Sequence, residues 1–533
     1  MRPSINQSLG FRRNVECAIR SLRSRYSTDC STNTKNVFAR LWAAKSRSQL
    51  LRTSATLLLV AAFSVEYGTR SEANAYTRPF EQVDSSSFAS GSVMLSIVGK
   101  TTQEPDPVAR FDKLATLIRD NHIKEAEAQL TKILNAQPNH PVALNLMGTI
   151  RAKQGRVNEA EDLFLRAIRS DNQYVGARMN LAYVYLLQRA HEKAIGQLNE
   201  VVKLEPDNSE AIEKLAELLL SQKRLDECIS LIEQQRKSRA ISPTLLVILG
   251  DAYQLKGAQK EAEEAYLSAL EGRLDNAAAL FGLAQLSYSK GETRETAIYL
   301  ARVSTLSADS KSPEFLYSFA LLALRVGMID DAKSALEKCL NLRPNDPLYV
   351  LALGIAWLRR GDMFEAEKLF RRVIALQPNS FQGQLHLGYA LLNQRKYPEA
   401  REWLEKSAKL NTSMPEVFYY LGLVAQGQND DAKAIEFFEK AVRTLPSYAY
   451  ARVALGSSYM KLKDYTRAKQ ELETAVKLDP EEPTAHYNLA LLYARLKDPE
   501  RAQEQMRIVD KLKAKGISND GGVVVVPPTS PPH

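Results

Sequence analysis

The sequence has few of the residues on which metal and redox chemistry depend. Its 533 residues include four cysteines, at Cys17, Cys30, Cys228 and Cys339, and no two of them form a Cys-x-x-Cys pair. The six histidines never occur at His-x-x-x-His spacing, which is the spacing that places two metal ligands on one helix face. These absences argue against a zinc site or a disulfide framework, and we expect no metal and no cofactor.

Catalytic motifs are also lacking. The segment "SVMLSIVGKTT" ends in Gly99-Lys100-Thr101, as a phosphate-binding loop does, but Met94 stands where that loop needs a glycine. Without this glycine the backbone amides cannot wrap a phosphate group. No histidine lies in a nucleophile-elbow context. We therefore expect a protein that is not an enzyme and has no catalytic residues.

The net charge of +9 comes from one end of the chain. Residues 1–65 contain nine Arg and two Lys but only two acidic residues, Glu16 and Asp29, and the basic and acidic residues of 66–533 balance. A strongly basic surface is the usual mark of nucleic-acid binding. Because the excess is confined to this leader, we expect no nucleic-acid partner for the rest of the chain.

The leader, residues 1–75, resembles a targeting segment. Its apolar stretch at 53–65, "TSATLLLVAAFSV", is short for a membrane span but suits the core of a secretory signal, and Ala73-Asn74-Ala75 offers an Ala-x-Ala cleavage site. A retained N-terminal membrane anchor remains an alternative, and so does a wrongly assigned start. A mitochondrial presequence is another, because the leader is rich in Arg and Ser and almost free of acidic residues.

Most of the remaining chain repeats every 34 residues. "LGIAWLRRGDMFEAEKLFRRVIALQPN" begins at Leu353, "LGYALLNQRKYPEAREWLEKSAKLNT" at Leu387 and "LGLVAQGQNDDAKAIEFFEKAVRTLP" at Leu421. This period predicts a repeat of two helices. About twelve units begin near residues 107, 141, 175, 209, 243, 277, 313, 347, 381, 415, 449 and 483.

Each unit pairs small residues with large ones at fixed positions. In the eighth unit Gly354 is followed by a second small residue, Ala366, then by a large one, Phe370, and the unit closes with Pro378. Small side chains let two helices approach closely, and proline ends the second helix. We therefore predict that Gly354 is a packing residue. The fourth unit, ending "LIEQQRKSRAIS", lacks the second-helix pattern, so a hinge near residues 236–241 is possible on sequence grounds.

This pattern resembles the tetratricopeptide repeat family, including bacterial envelope proteins built from such repeats. The resemblance implies an all-α, right-handed superhelical solenoid of about twelve helix-turn-helix repeats over residues 107–515. Residues 76–106 are predicted to be a flexible linker, and the Gly-, Val- and Pro-rich tail at 516–533 to be disordered. The sequence leaves open whether the array is one rigid body or two hinged halves, and it does not indicate an oligomeric state.

In this family the fifth and ninth positions of each first helix point toward a concave groove. Large apolar residues and four tyrosines occupy these positions in units seven to twelve, which predicts a surface for a partner helix or an extended peptide. The alternative is that these side chains pack against the adjacent repeat. We name the set the inner-face row; its members are Tyr317, Leu321, Leu351, Ile355, Leu385, Tyr389, Tyr419, Leu423, Val453, Tyr487 and Leu491.

Two specialised groove types of the family do not fit. The inner asparagine ladder that precedes glycosyltransferase domains is represented at the sixth position only by Asn180 and Asn488, and the Lys and Asn set that clamps acidic chaperone tails is incomplete. The resemblance therefore implies a protein-binding scaffold, with a bacterial cell envelope location, periplasmic or membrane-anchored, and mitochondria as the alternative. A second interpretation is an accessory subunit of a glycosyltransferase or of a polysaccharide synthesis and export system.

Overall fold

A computed structural model describes residues 107–514, apart from 239–240, 272–273 and 308–309. The predicted leader, with its apolar stretch and cleavage site, the linker at 76–106 and the tail at 516–533 lie outside the described residues. Within the described part of the chain, the regular secondary structure consists of 24 α-helices, and no strand occurs there. The all-α prediction is confirmed. None of the helices described has the length and apolar character needed to cross a membrane.

The described residues divide into two compact units, 107–378 and 379–514. The N-terminal unit consists of eight helical hairpins, each made of a first and a second helix. Its helices are α1 Pro107–Arg119, α2 Ile123–Ala136, α3 Pro141–Lys153, α4 Val157–Ser170, α5 Val175–Leu187, α6 His191–Leu204, α7 Ser209–Ser221, α8 Leu225–Ser238, α9 Pro243–Leu255, α10 Gln259–Ala269, α11 Ala277–Ser289, α12 Thr293–Leu306, α13 Pro313–Arg325, α14 Ile329–Leu342, α15 Pro347–Arg360 and α16 Met363–Leu376.

The C-terminal unit consists of four hairpins of the same kind. The twelve hairpins of the two units agree with the predicted number of repeats. Its helices are α17 Phe381–Asn393, α18 Tyr397–Leu410, α19 Pro415–Gly427, α20 Asp431–Thr444, α21 Ala449–Lys461, α22 Tyr465–Leu478, α23 Pro483–Arg495 and α24 Pro499–Ala514.

The two helices of a hairpin meet at a small residue on the first and a large residue on the second. In the eighth hairpin Gly354 lies against the ring of Phe370, and a Cβ added at Gly354 would stand only 2.6 Å from Phe370 Cε1. Ala366 and Phe370 are both fully buried. The prediction that Gly354 is a packing residue is confirmed, since the ring occupies the space that a side chain at this position would need.

Gly361 and Asp362 form the turn between the two helices of the same hairpin. Gly361 ends α15 in the left-handed conformation, with φ 91°, which residues other than glycine adopt at a cost. Asp362 then begins α16, because its carboxylate accepts a hydrogen bond from the backbone N–H of Glu365 at 3.1 Å. Pro347 occupies the first turn of α15, where its missing N–H costs nothing.

The fourth hairpin has a complete second helix despite its weak sequence pattern. Helix α8 runs over 14 residues, and Cys228 and Ile232 are fully buried at the positions that alanine and a large aromatic or leucine occupy elsewhere. Near the end of the helix, Gln235 is buried where other hairpins have an apolar or small residue. Cysteine and isoleucine thus replace the alanine and the large residue found in other hairpins. The last turn of α8 differs from the others because its buried residue, Gln235, is polar.

Candidate protein-binding surface

The inner-face row divides by burial into three groups. Six side chains are buried: Leu351 (4% exposed), Ile355 (3%), Leu385 (0%), Tyr389 (2%), Tyr419 (0%) and Val453 (4%). Three more, Tyr317, Leu321 and Leu423, are half-buried. Tyr487 and Leu491 are exposed, at 38% and 39%. The sequence pattern thus contains packing residues and accessible residues, and only the accessible ones present area to a partner without rearrangement.

In the N-terminal unit one row member, Tyr317, forms an aromatic pair with Tyr349. The rings of Tyr317 on α13 and Tyr349 on α15 lie 5.3 Å apart between centroids, tilted by 48°. Such tilted contacts are favourable because the positive edge of one ring meets the negative face of the other. Tyr349 is buried and burial raises the pKa of its hydroxyl to about 12. The accessible residues beside this pair are the half-buried Tyr317 and Leu321.

In the C-terminal unit the row is part of a larger aromatic cluster. Tyr389 lies 4.8 Å from Tyr420 between ring centroids, and Tyr419 lies 5.8 Å from Phe438 and 5.5 Å from Tyr448. The repeat pattern predicted Tyr389 and Tyr419 as site residues but not Tyr448, which lies just before the first helix of its hairpin. Its signal was the tyrosine-rich stretch "PSYAYAR".

Three tyrosine hydroxyls of this cluster are buried without a hydrogen-bond partner among the described residues, those of Tyr419, Tyr420 and Tyr448. Burial raises the pKa of all three well above the usual tyrosine value, because the phenolate loses its hydration. The hydroxyls are therefore protonated at neutral pH. A protonated phenol is a poor nucleophile, so these hydroxyls do not indicate a catalytic site.

Buried polar side chains accompany these tyrosines. Gln382 and His386 lie one turn apart on α17 and are 9% and 3% exposed, and Glu416 at the start of α19 is 2% exposed. Burial lowers the pKa of His386 to about 4, so its imidazole is neutral at pH 7. These residues stand at the second and sixth positions of their first helices, outside the fifth and ninth positions that define the inner-face row.

The last hairpin contains the two row members that are exposed to solvent. Tyr487 and Leu491 are four residues apart on α23, so they lie on the same helix face. The opposite side of α23 is held in the hairpin by the buried Leu489 and Leu492. This face of α23 therefore leaves one tyrosine and one leucine side chain accessible to solvent.

The cysteines of the described residues do not add a reactive site. Cys228 and Cys339 are free and buried, and burial raises the pKa of each thiol to about 12. Both thiols therefore stay protonated at neutral pH and pack as small apolar side chains. Within the described part of the chain, no three His, Cys, Asp or Glu side chains are grouped as ligands of a metal ion.

Repeated helical hairpins that pack a small residue of the first helix against a large residue of the second define a class of α-helical repeat proteins. Two family models described as tetratricopeptide repeat match this chain, and the regions of the first cover more than half of its length. The chain belongs to the tetratricopeptide repeat family. The matched regions are residues 116–175, 145–209, 317–381, 365–415, 385–449 and 453–511 for the first and 423–477 for the second.

One curated relative is the cellulose synthase operon protein C of Xanthomonas axonopodis pv. citri (strain 306), which is 27% identical over 233 residues. The match covers 42% of this chain and 14% of that relative's length. Similar solved structures include the APC/C hetero-tetramer Cut9–Hcn1, at 17% identity, with 77% of this chain and 96% of that chain covered and a TM-score of 0.40. PilF of Pseudomonas aeruginosa is 22% identical, with 38% and 91% covered and a TM-score of 0.35.

Proposed function

We propose that the inner-face row binds helical or extended segments of partner proteins, and that the protein is a non-enzymatic scaffold of a multi-protein assembly in the bacterial cell envelope. Tetratricopeptide repeats are in general interaction modules, which is the broad statement that family membership supports. The observation that carries the specific proposal is the exposed pair Tyr487 and Leu491. Tyrosine beside an aliphatic side chain is a common composition of energetically dominant contact sites.

Affinity capture from the native organism after in-cell crosslinking tests the proposal. The bait carries Tyr487→Glu and Leu491→Glu, which replace exposed apolar area by charge without entering the hairpin core. Glutamate at Tyr419 would be unsuitable, because that side chain is fully buried and the substitution would unfold its hairpin. We expect the captured partner to be lost, because the apolar contact is removed and a buried charge is added to the interface.

The matched control is the double variant Leu462→Glu and Leu478→Glu. Both leucines belong to the same unit, are 54% and 42% exposed and lie outside the inner-face row. The control therefore makes the same change in charge and also removes two exposed apolar side chains. Equal loss of the partner from both double variants would show a general effect of surface charge. If the Tyr487→Glu and Leu491→Glu bait still captured the partner, the proposal that the inner-face row is the binding surface would be wrong.

The second candidate function is that of an accessory subunit of a polysaccharide synthesis or export system. The relative named as a cellulose synthase operon protein favours it, and this relative also supports the envelope location. Deleting the coding sequence and measuring secreted polysaccharide tests the candidate. A strong decrease in polymer, together with capture of a glycosyltransferase chain, would support the accessory role, and unchanged polymer would argue for the general scaffold.

A further inference from the structure

The last hairpin exposes apolar side chains at positions that the preceding hairpins of the C-terminal unit bury. At the fifth position of the first helix, Leu385, Tyr419 and Val453 are at most 4% exposed, whereas Tyr487 of α23 is 38% exposed. Leu491, at the ninth position of α23, is 39% exposed. Side chains at one position of the repeat thus have two environments, and the difference lies in what packs on each helix.

In the preceding hairpins these positions are covered by the hairpin that follows. The Tyr419 ring lies 5.5 Å from the ring of Tyr448, which stands just before α21. The Tyr389 ring, at the ninth position of α17, lies 4.8 Å from the ring of Tyr420 on α19. Among the described residues no hairpin follows α24. The fifth and ninth positions of α23 therefore belong to a contact surface between hairpins that is left open.

The second helix contributes to the same open surface. Ala502 and Met506 on α24 are half-buried, while their equivalents in the preceding hairpin, Ala468 and Leu472, are fully buried. Helix α23 packs against both α21 and α22, so a segment lying between α23 and α24 would take the corresponding place in the last hairpin. We name this open surface the end face; it consists of Tyr487, Leu491, Ala502 and Met506.

The chain continues from a point close to the end face. Helices α23 and α24 are joined by three residues, 496–498, and pack against each other, so they are antiparallel and α24 ends beside the start of α23. Tyr487 lies one turn into α23, about 6 Å along its axis. Ala514, from which residues 515–533 continue outside the described part of the chain, is therefore on the side of the hairpin where Tyr487 lies.

This continuing segment has the composition that suits the end face. It contains four consecutive valines, Val523–Val526, and residues 516–533 include one Asp and no Glu, Lys or Arg. The end face is uncharged as well, and its neighbours on α23, Thr484 and Asn488, are half-buried polar residues without charge. Contact between two uncharged apolar surfaces is favourable because it removes both from water. β-branched side chains also favour an extended chain, which can lie along a helix.

The valines can reach the end face at a high local concentration. Val523 follows Ala514 by nine residues, which span up to about 30 Å when extended, and Gly516, Gly521 and Gly522 permit the chain to reverse direction. A short tether gives the segment a local concentration in the millimolar range. At about 1 mM, even a dissociation constant of about 0.1 mM would keep the end face covered in about nine molecules of ten.

We propose that Val523–Val526 packs on the end face of its own chain and covers Tyr487 and Leu491 until a partner displaces it. The valine segment is thus an intramolecular competitor for the exposed part of the inner-face row. At nine-tenths coverage a partner binds about tenfold more weakly, because only the uncovered fraction is competent to bind. The displacement rests on the proposed function, whereas the packing of the valines rests on the end face and on the position of Ala514.

Photo-crosslinking of the purified full chain tests the packing. Benzoylphenylalanine at Tyr487 should crosslink to a peptide that contains Val523–Val526, and benzoylphenylalanine at Leu462, which is 54% exposed in the turn after α21, should not. An equal mixture of isotope-labelled and unlabelled chains, digested and measured by mass spectrometry, distinguishes the occupants. Crosslinks within one chain join peptides of the same label. Crosslinks of mixed label would place a second copy on the end face and overturn the proposal.

Two double variants of equal charge provide a matched pair. Val524→Asp with Val525→Asp should abolish the crosslink, because adjacent residues of an extended chain face opposite sides and one of the two must contact the end face. Thr529→Asp with Ser530→Asp adds the same charge after the valines and should retain the crosslink. Circular dichroism should be unchanged in both, since the substitutions lie beyond α24. A crosslink that survives in both variants, or is lost from both, would overturn the assignment of the valines.

Affinity capture from the native organism tests the displacement with the same two variants. We expect the Val524→Asp and Val525→Asp bait to capture severalfold more of the partner than the wild-type chain does, and the Thr529→Asp and Ser530→Asp bait to capture the wild-type amount. Equal capture by all three baits would overturn the competition.

The two experiments separate this inference from the proposed function. If the crosslink to Val523–Val526 forms but no bait captures a partner through Tyr487, the proposed function is wrong and the packing of the valines stands. If no crosslink from position 487 reaches the valines, this inference is wrong, whatever the capture experiment shows.

Discussion

Glycine at the contact between two helices controls how closely they approach. Gly354 lies against the Phe370 ring, and the same arrangement recurs between Gly422 and Phe438 in the C-terminal unit. A glycine in a helix costs about 1 kcal/mol relative to alanine. The packed ring offsets this cost, because it buries aromatic area that a larger residue at the glycine position would exclude.

Alanine at Gly354 and alanine at Gly196 should act in opposite directions. Gly354→Ala places a Cβ 2.6 Å from Phe370 Cε1, and overpacking of this kind costs about 1–3 kcal/mol. Gly196, within α6, has no atom within 4 Å of an added Cβ, so Gly196→Ala should stabilise by up to about 1 kcal/mol through helix propensity. Urea unfolding followed by circular dichroism measures both, and a stabilised Gly354→Ala would contradict the packing role.

Removing the hydroxyl of Tyr419 should not reduce stability. Its oxygen is buried without a partner among the described residues, so Tyr419→Phe should raise the unfolding free energy by about 1 kcal/mol. Tyr459 provides the contrast, since its hydroxyl donates to Glu439 Oε1 at 2.6 Å, and Tyr459→Phe should lower stability by about 1 kcal/mol. The same unfolding measurement compares them. Equal losses in both variants would mean that the Tyr419 hydroxyl has a folding role.

The sequence predicted the packing residues better than it predicted exposure. Gly354 and Ala366 were found because the contact within a hairpin joins residues at a fixed separation, and this separation repeats along the chain. Whether Tyr419 or Tyr487 reaches solvent depends on how closely neighbouring side chains cover each one. Both tyrosines occupy the fifth position, yet they are 0% and 38% exposed. Position in the repeat thus specifies the helix face and not the accessible area.

Most helix boundaries follow from the residue types at the helix ends, which can be identified in the sequence. Pro347 at the start of α15, Gly361 at its end and Asp362 at the start of α16 each have the conformation that their residue type favours. Helix α8 was harder to predict, because Cys228 and Ile232 replace the residues common at the contact. A packing position of this kind accepts several small or apolar residues. A search for the usual residues alone therefore fails to predict a helix such as α8.

Limited trypsin digestion tests whether the end of α8 is a weak point. Arg236 and Lys237 are exposed in its last turn, and the turn is anchored by the polar Gln235. The matched site is Lys203 in the last turn of α6, which the fully buried apolar Val201 anchors. Within the described residues, we expect cleavage after Arg236 or Lys237 to be faster than cleavage after Lys203, because local opening is easier where less apolar area is buried. Cleavage at Lys203 at the same rate would contradict this expectation.

At the scale of the whole molecule, charge is distributed unevenly along the chain. The positive excess lies in residues 1–65, while the residues after them carry equal numbers of basic and acidic side chains. Because these residues carry no excess charge, we expect partner recognition to depend on apolar contacts such as those proposed for Tyr487 and Leu491. The family and the repeat number could be predicted from the sequence. The aromatic contact between Tyr419 and Tyr448 could not, because the repeat pattern does not specify how side chains of neighbouring hairpins pack.

The most direct test of the central claim is site-specific photo-crosslinking in the native organism. A benzoylphenylalanine placed at Tyr487 lies on the inner-face row, and one placed at Leu478, which is 42% exposed on α22, lies outside it. We expect a discrete crosslinked partner from position 487 and none from position 478. A partner crosslinked equally from both positions, or only from 478, would contradict the claim that the inner-face row is the binding surface.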